Sequence, residues 1–80
     1  MEIIHQTERE RFIVQSGDHE ALLEYHLLPN RGVNFHHTFV PPQMRGQGIA
    51  EKLVRTGLAW AKEQQFKIEA SCSYVQKFLR

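Results

Sequence analysis

Gln43-Met44-Arg45-Gly46-Gln47-Gly48-Ile49-Ala50 is the stretch of this chain best suited to chemistry. Two glycines one residue apart, directly ahead of an apolar-periodic segment, let the main chain approach a ligand without Cβ interference. The unpaired amides of a helix's first turn point outward there, and the helix dipole favours negative charge. Such a turn suits a phosphate, and Arg45 would add a mobile cation beside it. Two glycines ahead of a helix are also often no more than a turn. An ATPase phosphate loop is excluded, because no Gly-Lys-Ser/Thr ending follows. Nor is the full dinucleotide fingerprint matched, which needs a third spaced glycine and an acidic residue about twenty positions on.

Four further side chains have reactive types. Cys72 is the only thiol. It is either a small buried hydrophobe or a nucleophile whose thiolate is stabilised by amides at a strand-to-helix junction. His36 and His37 are adjacent on an extended segment, so regular strand geometry sends them to opposite faces. His37 shares its expected face with Phe35 and Phe39, as a hydrogen-bonded core residue or as a base for an amine near neutral pH. Tyr74 either packs beneath a helix or protonates a leaving thiolate. Two residues from Cys72, it lies roughly 200° away around an ideal helix, which argues against a side-by-side pair. His5, His19 and His26 are dispersed and give no metal-ligand spacing. Glu63 and Glu69 read as a solvated face.

The elements that must position these groups follow from periodicity. Arg11 to Gln15 is a short extended segment closed by Ser16-Gly17-Asp18. Glu20 to Leu28 alternates imperfectly, with Leu23, Tyr25 and Leu27 on one face and Glu24 and His26 on the other, though its Ala-Leu-Leu-Glu start would also suit a helix. Pro29-Asn30-Arg31-Gly32 is a turn. Val33 to Val40 resumes the period of two, with Val33, Phe35, His37 and Phe39 facing one way and Asn34, His36, Thr38 and Val40 the other. Pro41-Pro42 ends pairing. Ile49, Ala50, Leu53, Val54, Gly57, Leu58 and Ala61 then recur at spacings of three and four, the apolar stripe of a helix. Gly57 inside that stripe implies close packing against a sheet, and Trp60 covers the end of the core. Lys67 to Ala70 is another short strand. Ser71 or Ser73 is expected to cap a last helix carrying Tyr74, Val75, Phe78 and Leu79. The expected class is α+β, a small, mainly antiparallel mixed sheet with helices packed on it, in the order β-β-β-α-β-α. Residues 1–80 form one domain.

Composition bounds the function. Eighty residues, 41% apolar and 24% charged, describe a globular chain, and at this size folding buries only about 60% of the unfolded surface. A large enclosed pocket is beyond its means. Ten Lys/Arg against nine Asp/Glu give a net charge of +1, scattered without a basic stripe, so no nucleic-acid partner is expected. No apolar run is long enough to span a membrane, and no membrane partner is expected. A single cysteine makes no internal disulfide, and a reducing, cytoplasmic setting is the default expectation.

The glycine turn with its surroundings resembles a known family. Gln43-x-x-Gly46-x-Gly48 followed by Ile49-Ala50 looks like the acyl-CoA pyrophosphate loop of the Gcn5-related N-acetyltransferases. His37-Thr38-Phe39-Val40-Pro41, Arg45 to Ala50 and Cys72-Ser73-Tyr74-Val75, in that order, resemble the minimal single-domain, NATD1-like branch over roughly Phe12 to Leu79. The resemblance implies acetyl-CoA as the donor, with Phe39 and Val40 contacting the pantetheine arm through their backbone and residues Gln43, Met44, Arg45, Gly46, Gln47, Gly48, Ile49 and Ala50 holding the pyrophosphate. It implies transfer to an amine, a small molecule or a protein amino group, with Cys72, His37 and Tyr74 as the catalytic candidates. Cys72 would accept the acyl group and pass it on. Many members resemble His-Thr-Glu/Asp-Val where this chain has Phe39, and that departure removes a carboxylate base or substrate contact. A non-catalytic CoA-binding or protein-interaction module is the alternative.

Overall fold

Period-two alternation in the first half of the chain builds antiparallel strands joined by tight turns. The computed structural model, which describes residues 2–79, places β1 (Ile4–Gln6), β2 (Arg11–Ser16), β3 (His19–Leu28) and β4 (Gly32–Phe39) as successive antiparallel neighbours. The amphipathic α1 (Ile49–Glu63) then crosses the sheet, β5 (Lys67–Ala70) returns parallel to β4, and the short α2 (Ser73–Gln76) follows. Sheet order is β1-β2-β3-β4-β5. The α+β class and mainly antiparallel sheet are as expected, with one strand added at the start of the order. β1 has only three residues, too few to show a period, and its signature is the pairing of Ile4 with Ile13 and Gln6 with Arg11.

One face of the sheet meets the helices. Phe12, Val14, Ala21, Leu23, Tyr25, Val33 and Phe35 form a single buried cluster with Ile49, Leu53, Val54, Leu58 and Ala61 of α1 and Val75 of α2. Gly57 fixes how closely α1 lies. A Cβ there would stand 2.7 Å from Leu23 Cδ2 and 3.0 Å from Phe35 Cε1, so only hydrogen fits. Trp60 closes one end of this core, its ring 4.8 Å from His5, 4.9 Å from Tyr25 and 5.6 Å from Phe12 between centroids. His5 also shares a 2.7 Å hydrogen bond with the Tyr25 hydroxyl.

The molecule is only 18 Å thick in its shortest dimension, the depth of one sheet with helices on one side. The opposite face carries a cross-strand apolar row, Ile4, Ile13, Leu22 and Phe39, beside the polar row Gln6, Arg11, Glu24 and His37. Ile4 and Phe39 at the ends of the apolar row are each 43% exposed.

β4 departs from simple alternation. Tyr25 pairs with Phe35 and Glu24 pairs with His37, which leaves His36 as an extra residue in β4. A bulge of this kind reverses the facing of everything beyond it. Thr38, paired with Leu23, therefore faces the helices, whereas His37 and Phe39 face away from them. His36 also lies on the outer face, stacked on His26. The expectations that His36 and His37 diverge, and that His37 and Phe39 share the Phe35 face, are thus corrected by one inserted residue. The last helix differs as well. Cys72, not Ser71 or Ser73, holds its N-cap position without a side-chain cap bond, while the Ser71 amide donates to Asn34 Oδ1 at 2.9 Å.

Candidate functional site

The β4–β5 pair opens into a cleft. Its ladder ends at Phe35 and Ala70, after which the Ser71 and Cys72 amides both donate to the Phe35 carbonyl at 3.1 and 3.2 Å. β5 stops there and α2 begins, but β4 runs on to Phe39 with no strand beside it on that edge among the described residues. The two chains part like the arms of a V, and Cys72 stands in the fork.

Thr38 bridges the fork from the other arm, its Oγ1 3.5 Å from Cys72 Sγ. Partial burial pushes the thiol pKa up and is the largest single influence on it. The Thr38 hydroxyl and the amides of Val75, Tyr74 and Thr38 point the other way, and together they hold the thiol below its ordinary value. Cys72 is a free, half-buried thiol at the fork. Thr38 is the site residue that sequence periodicity does not reveal, since strict alternation turns it away from the helices.

Past β4 the chain turns through Pro41 and the single 3-10 turn Pro42–Met44 into the glycine loop. Gly46 and Gly48 take φ of +83° and +71°, the left-handed region, and a Cβ at either would meet no protein atom within 4 Å. The space above both glycines is open. Gly48 is the N-cap of α1 and has no side chain to bond the first-turn amides; the first amide returning to it is that of Lys52, at 3.1 Å. The amides of Ile49, Ala50 and Glu51 consequently lack intrahelical acceptors. Glu51 is the one acid in this turn, and Arg55 Nε holds its carboxylate at 2.8 Å.

A cavity of about 180 Å³ follows this arrangement, lined by Val40, Met44, Arg45, Gly46, Gly48, Ile49, Ala50, Glu51 and Tyr74. Most of the residues assigned to a pyrophosphate loop meet here. Gln43 and Gln47 instead line a second hollow of about 310 Å³, shared with Gln15, Ser16 and His19 near the β2–β3 turn. Phe39 lines neither, because its side chain is on the outer face, and only its backbone borders the cleft. Arg45 is less mobile than expected, since its Nε donates to the Val40 carbonyl at 3.0 Å and leaves the rest of the guanidinium for an anion. Tyr74 forms one wall of the cavity while packing against Phe78 at 5.3 Å, so wall and core functions coincide in it. His37 is exposed and separated from Cys72 by the thickness of the sheet.

Comparison with known proteins agrees with this geometry. Residues 11–80 match the model of a GCN5-related N-acetyl-transferase family. Protein NATD1 of Gallus gallus is 34% identical over 82 residues, covering 100% of this chain and 74% of the relative. Protein NATD1 of Homo sapiens is 36% identical over 78 residues, 95% of this chain and 69% of the relative. The solution NMR structure of a GCN5-like protein from Staphylococcus aureus superposes with a TM-score of 0.74 at 30% identity, over 98% of this chain and 76% of that one. With a split β4–β5 pair, a glycine loop leading α1 and a family match over seven-eighths of its length, this chain belongs to the GCN5-related N-acetyltransferase family.

Proposed function

We propose that the protein transfers an acetyl group from acetyl-CoA to a primary amine. The observation that carries this reading is the pair of left-handed glycines with open space above them, set at the unpaired amides of α1 and beside the parted strands. The cavity residues fit a pyrophosphate: the main chain at Gly46, Gly48, Ile49 and Ala50 offers donors, and Arg45 adds a cation anchored on Val40. Bound there, acetyl-CoA supplies an acetyl group activated as a thioester. Thr38 and the backbone bordering the fork orient the reacting end, and holding it in place raises its effective concentration for an incoming nucleophile.

Cys72 is the proposed acyl carrier. Its thiolate is favoured by Thr38 and the first-turn amides of α2, so the sulfur can form a bond to the acetyl carbon as the carbon–sulfur bond to CoA breaks. The amine then takes the acetyl group from Cys72, and the thiolate is regenerated. Tyr74 closes the cavity and gives the departing thiolate a proton, which it recovers through water from the amine nitrogen as the amide forms. His37, exposed on the other side of the sheet from Cys72, is left without a part in this transfer. A CoA-binding module without turnover is the alternative reading, favoured by the openness of the acceptor side.

Isothermal titration with CoA and acetyl-CoA should show saturable binding, and its absence would remove the reading at its base. Intact-mass analysis after incubation with acetyl-CoA should find one acetyl group on the peptide containing Cys72. CoA release measured across a panel of amines then separates transfer from binding alone. Retained turnover in Cys72→Ala would assign direct transfer to the amine in place of the carrier step.

A further inference from the structure

A separate hollow lies farther along α1, against the C-terminal 3-10 turn Lys77–Leu79. It encloses about 220 Å³ and is lined by Arg55, Leu58, Ala59, Lys62 and Phe78. Arg55 and Lys62 are two turns apart on one face of α1, about 10.5 Å along its axis. Leu58, Ala59 and Phe78 give the space between the two cations an apolar floor.

Two contacts join this hollow to the glycine-loop cavity. Glu51 lines that cavity, and its carboxylate accepts a hydrogen bond from Arg55 Nε at 2.8 Å. Tyr74 lines it too, and packs on Phe78 at 5.3 Å between ring centroids. The Arg55 guanidinium lies 5.5 Å from the centre of the Phe78 ring, and the Lys77 ammonium 5.7 Å from that of Tyr74. Arg55 and Lys77 thus stand where the two hollows meet, with Lys62 beyond them. Glu51 is the only acid lining either hollow.

An exposed i,i+4 ion pair contributes little to stability, so the fold alone gives Glu51 and Arg55 small purpose. Their contact does orient the arginine. The guanidinium is held between a carboxylate and an aromatic face through Nε, and its Nη1 and Nη2 have no partner among the described residues. A planar fork with free donors, set beside an apolar floor, suits a phosphate ester attached to an aromatic base.

We propose that this hollow takes the adenosine 3′-phosphate end of CoA, with the 3′-phosphate on Arg55 and the adenine on Leu58, Ala59 and Phe78. This assignment rests on the reading of the glycine loop as the pyrophosphate site. From Ala50 to Arg55 the helix rises about 7.5 Å, a span that a single ribose bridges between its 5′-diphosphate and its 3′-phosphate. Arg55 then selects CoA over its form without the 3′-phosphate. Glu51 holds the arginine in position before the ligand arrives, and the same arginine neutralises the carboxylate beside the pyrophosphate.

Isothermal titration with CoA and 3′-dephospho-CoA, which differ only in that phosphate, tests the subsite. CoA should bind about tenfold more tightly. Arg55→Gln alone also leaves the Glu51 charge bare beside the pyrophosphate, so the arginine is replaced in Glu51→Gln protein, where its neighbour is neutral. In that background Arg55→Gln should cost CoA about tenfold and leave the affinity for 3′-dephospho-CoA unchanged. Ala59→Gln, a change at an exposed position, should fill the floor and weaken both ligands alike. Equal affinity of the unaltered protein for the two ligands, or an equal loss for both on Arg55→Gln, would overturn the phosphate contact while the pyrophosphate reading stands. Unchanged affinity for both in Ala59→Gln would overturn the place given to the adenine. Binding of neither ligand would remove the pyrophosphate reading and this subsite together.

Discussion

Replacing Gly46 by alanine separates the ligand role of the loop from its part in the fold. At φ +83° an added Cβ meets no protein atom within 4 Å, so the fold loses only the cost of holding an L-residue in the left-handed region. That cost is about 1–2 kcal/mol. In a domain of this size each kcal/mol lowers Tm by about 4–8 °C. Gly17, in the turn between β2 and β3, is a matched control: its φ is +58°, its Cβ site is equally empty, and it lies outside the cavity at α1. Gly17→Ala and Gly46→Ala should therefore lose similar thermal stability. A phosphate seated on the loop amides needs the space that the Gly46→Ala methyl takes, so that variant alone should lose CoA affinity, by about tenfold or 1.4 kcal/mol. Thermal unfolding beside isothermal titration with CoA reads both effects on the same samples. Unchanged CoA affinity in a folded Gly46→Ala protein would refute the assignment of the loop as a phosphate cradle.

Further outcomes follow from other contacts. Thr38→Val removes the hydroxyl beside Cys72 Sγ and should move the midpoint of iodoacetamide alkylation against pH upward; an unmoved midpoint would mean that Thr38 does not stabilise the thiolate. Gly57→Ala gains up to about 1 kcal/mol of helix propensity but incurs about 1–3 kcal/mol of overpacking against Leu23 and Phe35, both fully buried, so its urea midpoint should fall with the m-value unchanged. A risen midpoint would show that α1 can retreat from the sheet. Burial holds the His5 pKa below its ordinary value, so the unfolded chain binds more protons there. Its contribution is complete above about pH 6.5 and is lost as pH falls from there through the lowered folded value. Urea unfolding at pH 7.5 and 5.5 should show that loss, smaller in His5→Gln but not abolished, because burial lowers the His36 pKa in the same direction.

The glycine loop was legible because everything that shapes it is local. Two glycines, the first turn of a periodic helix and a preceding Pro-Pro all act within about ten residues, and the structure puts Gly46 and Gly48 in the left-handed conformations those glycines permit. Gly57 was legible for a similar reason, since a costly residue inside an apolar stripe has few explanations other than close approach. β4 was not. Its alternation is sound as far as Phe35, but the bulge at His36 is set by which residues of β3 pair across it, and Phe-His-His-Thr carries no local mark of an insertion. That single residue decides whether Thr38 or His37 meets Cys72.

The division of the sheet explains why one substrate is easier to assign than the other. In the proposed reading, the helix side of an 80-residue chain suffices for a cofactor site, because main-chain donors at the glycine loop would hold a pyrophosphate with few specific side chains. On the outer side no second layer of helix covers the strands among the described residues, and the molecule ends 18 Å from its other surface. In the acetyl-transfer reading, a chain of this thickness has little protein with which to enclose an acceptor, so that reading expects CoA release with many amines, and a sharp preference by shape for one amine would count against it.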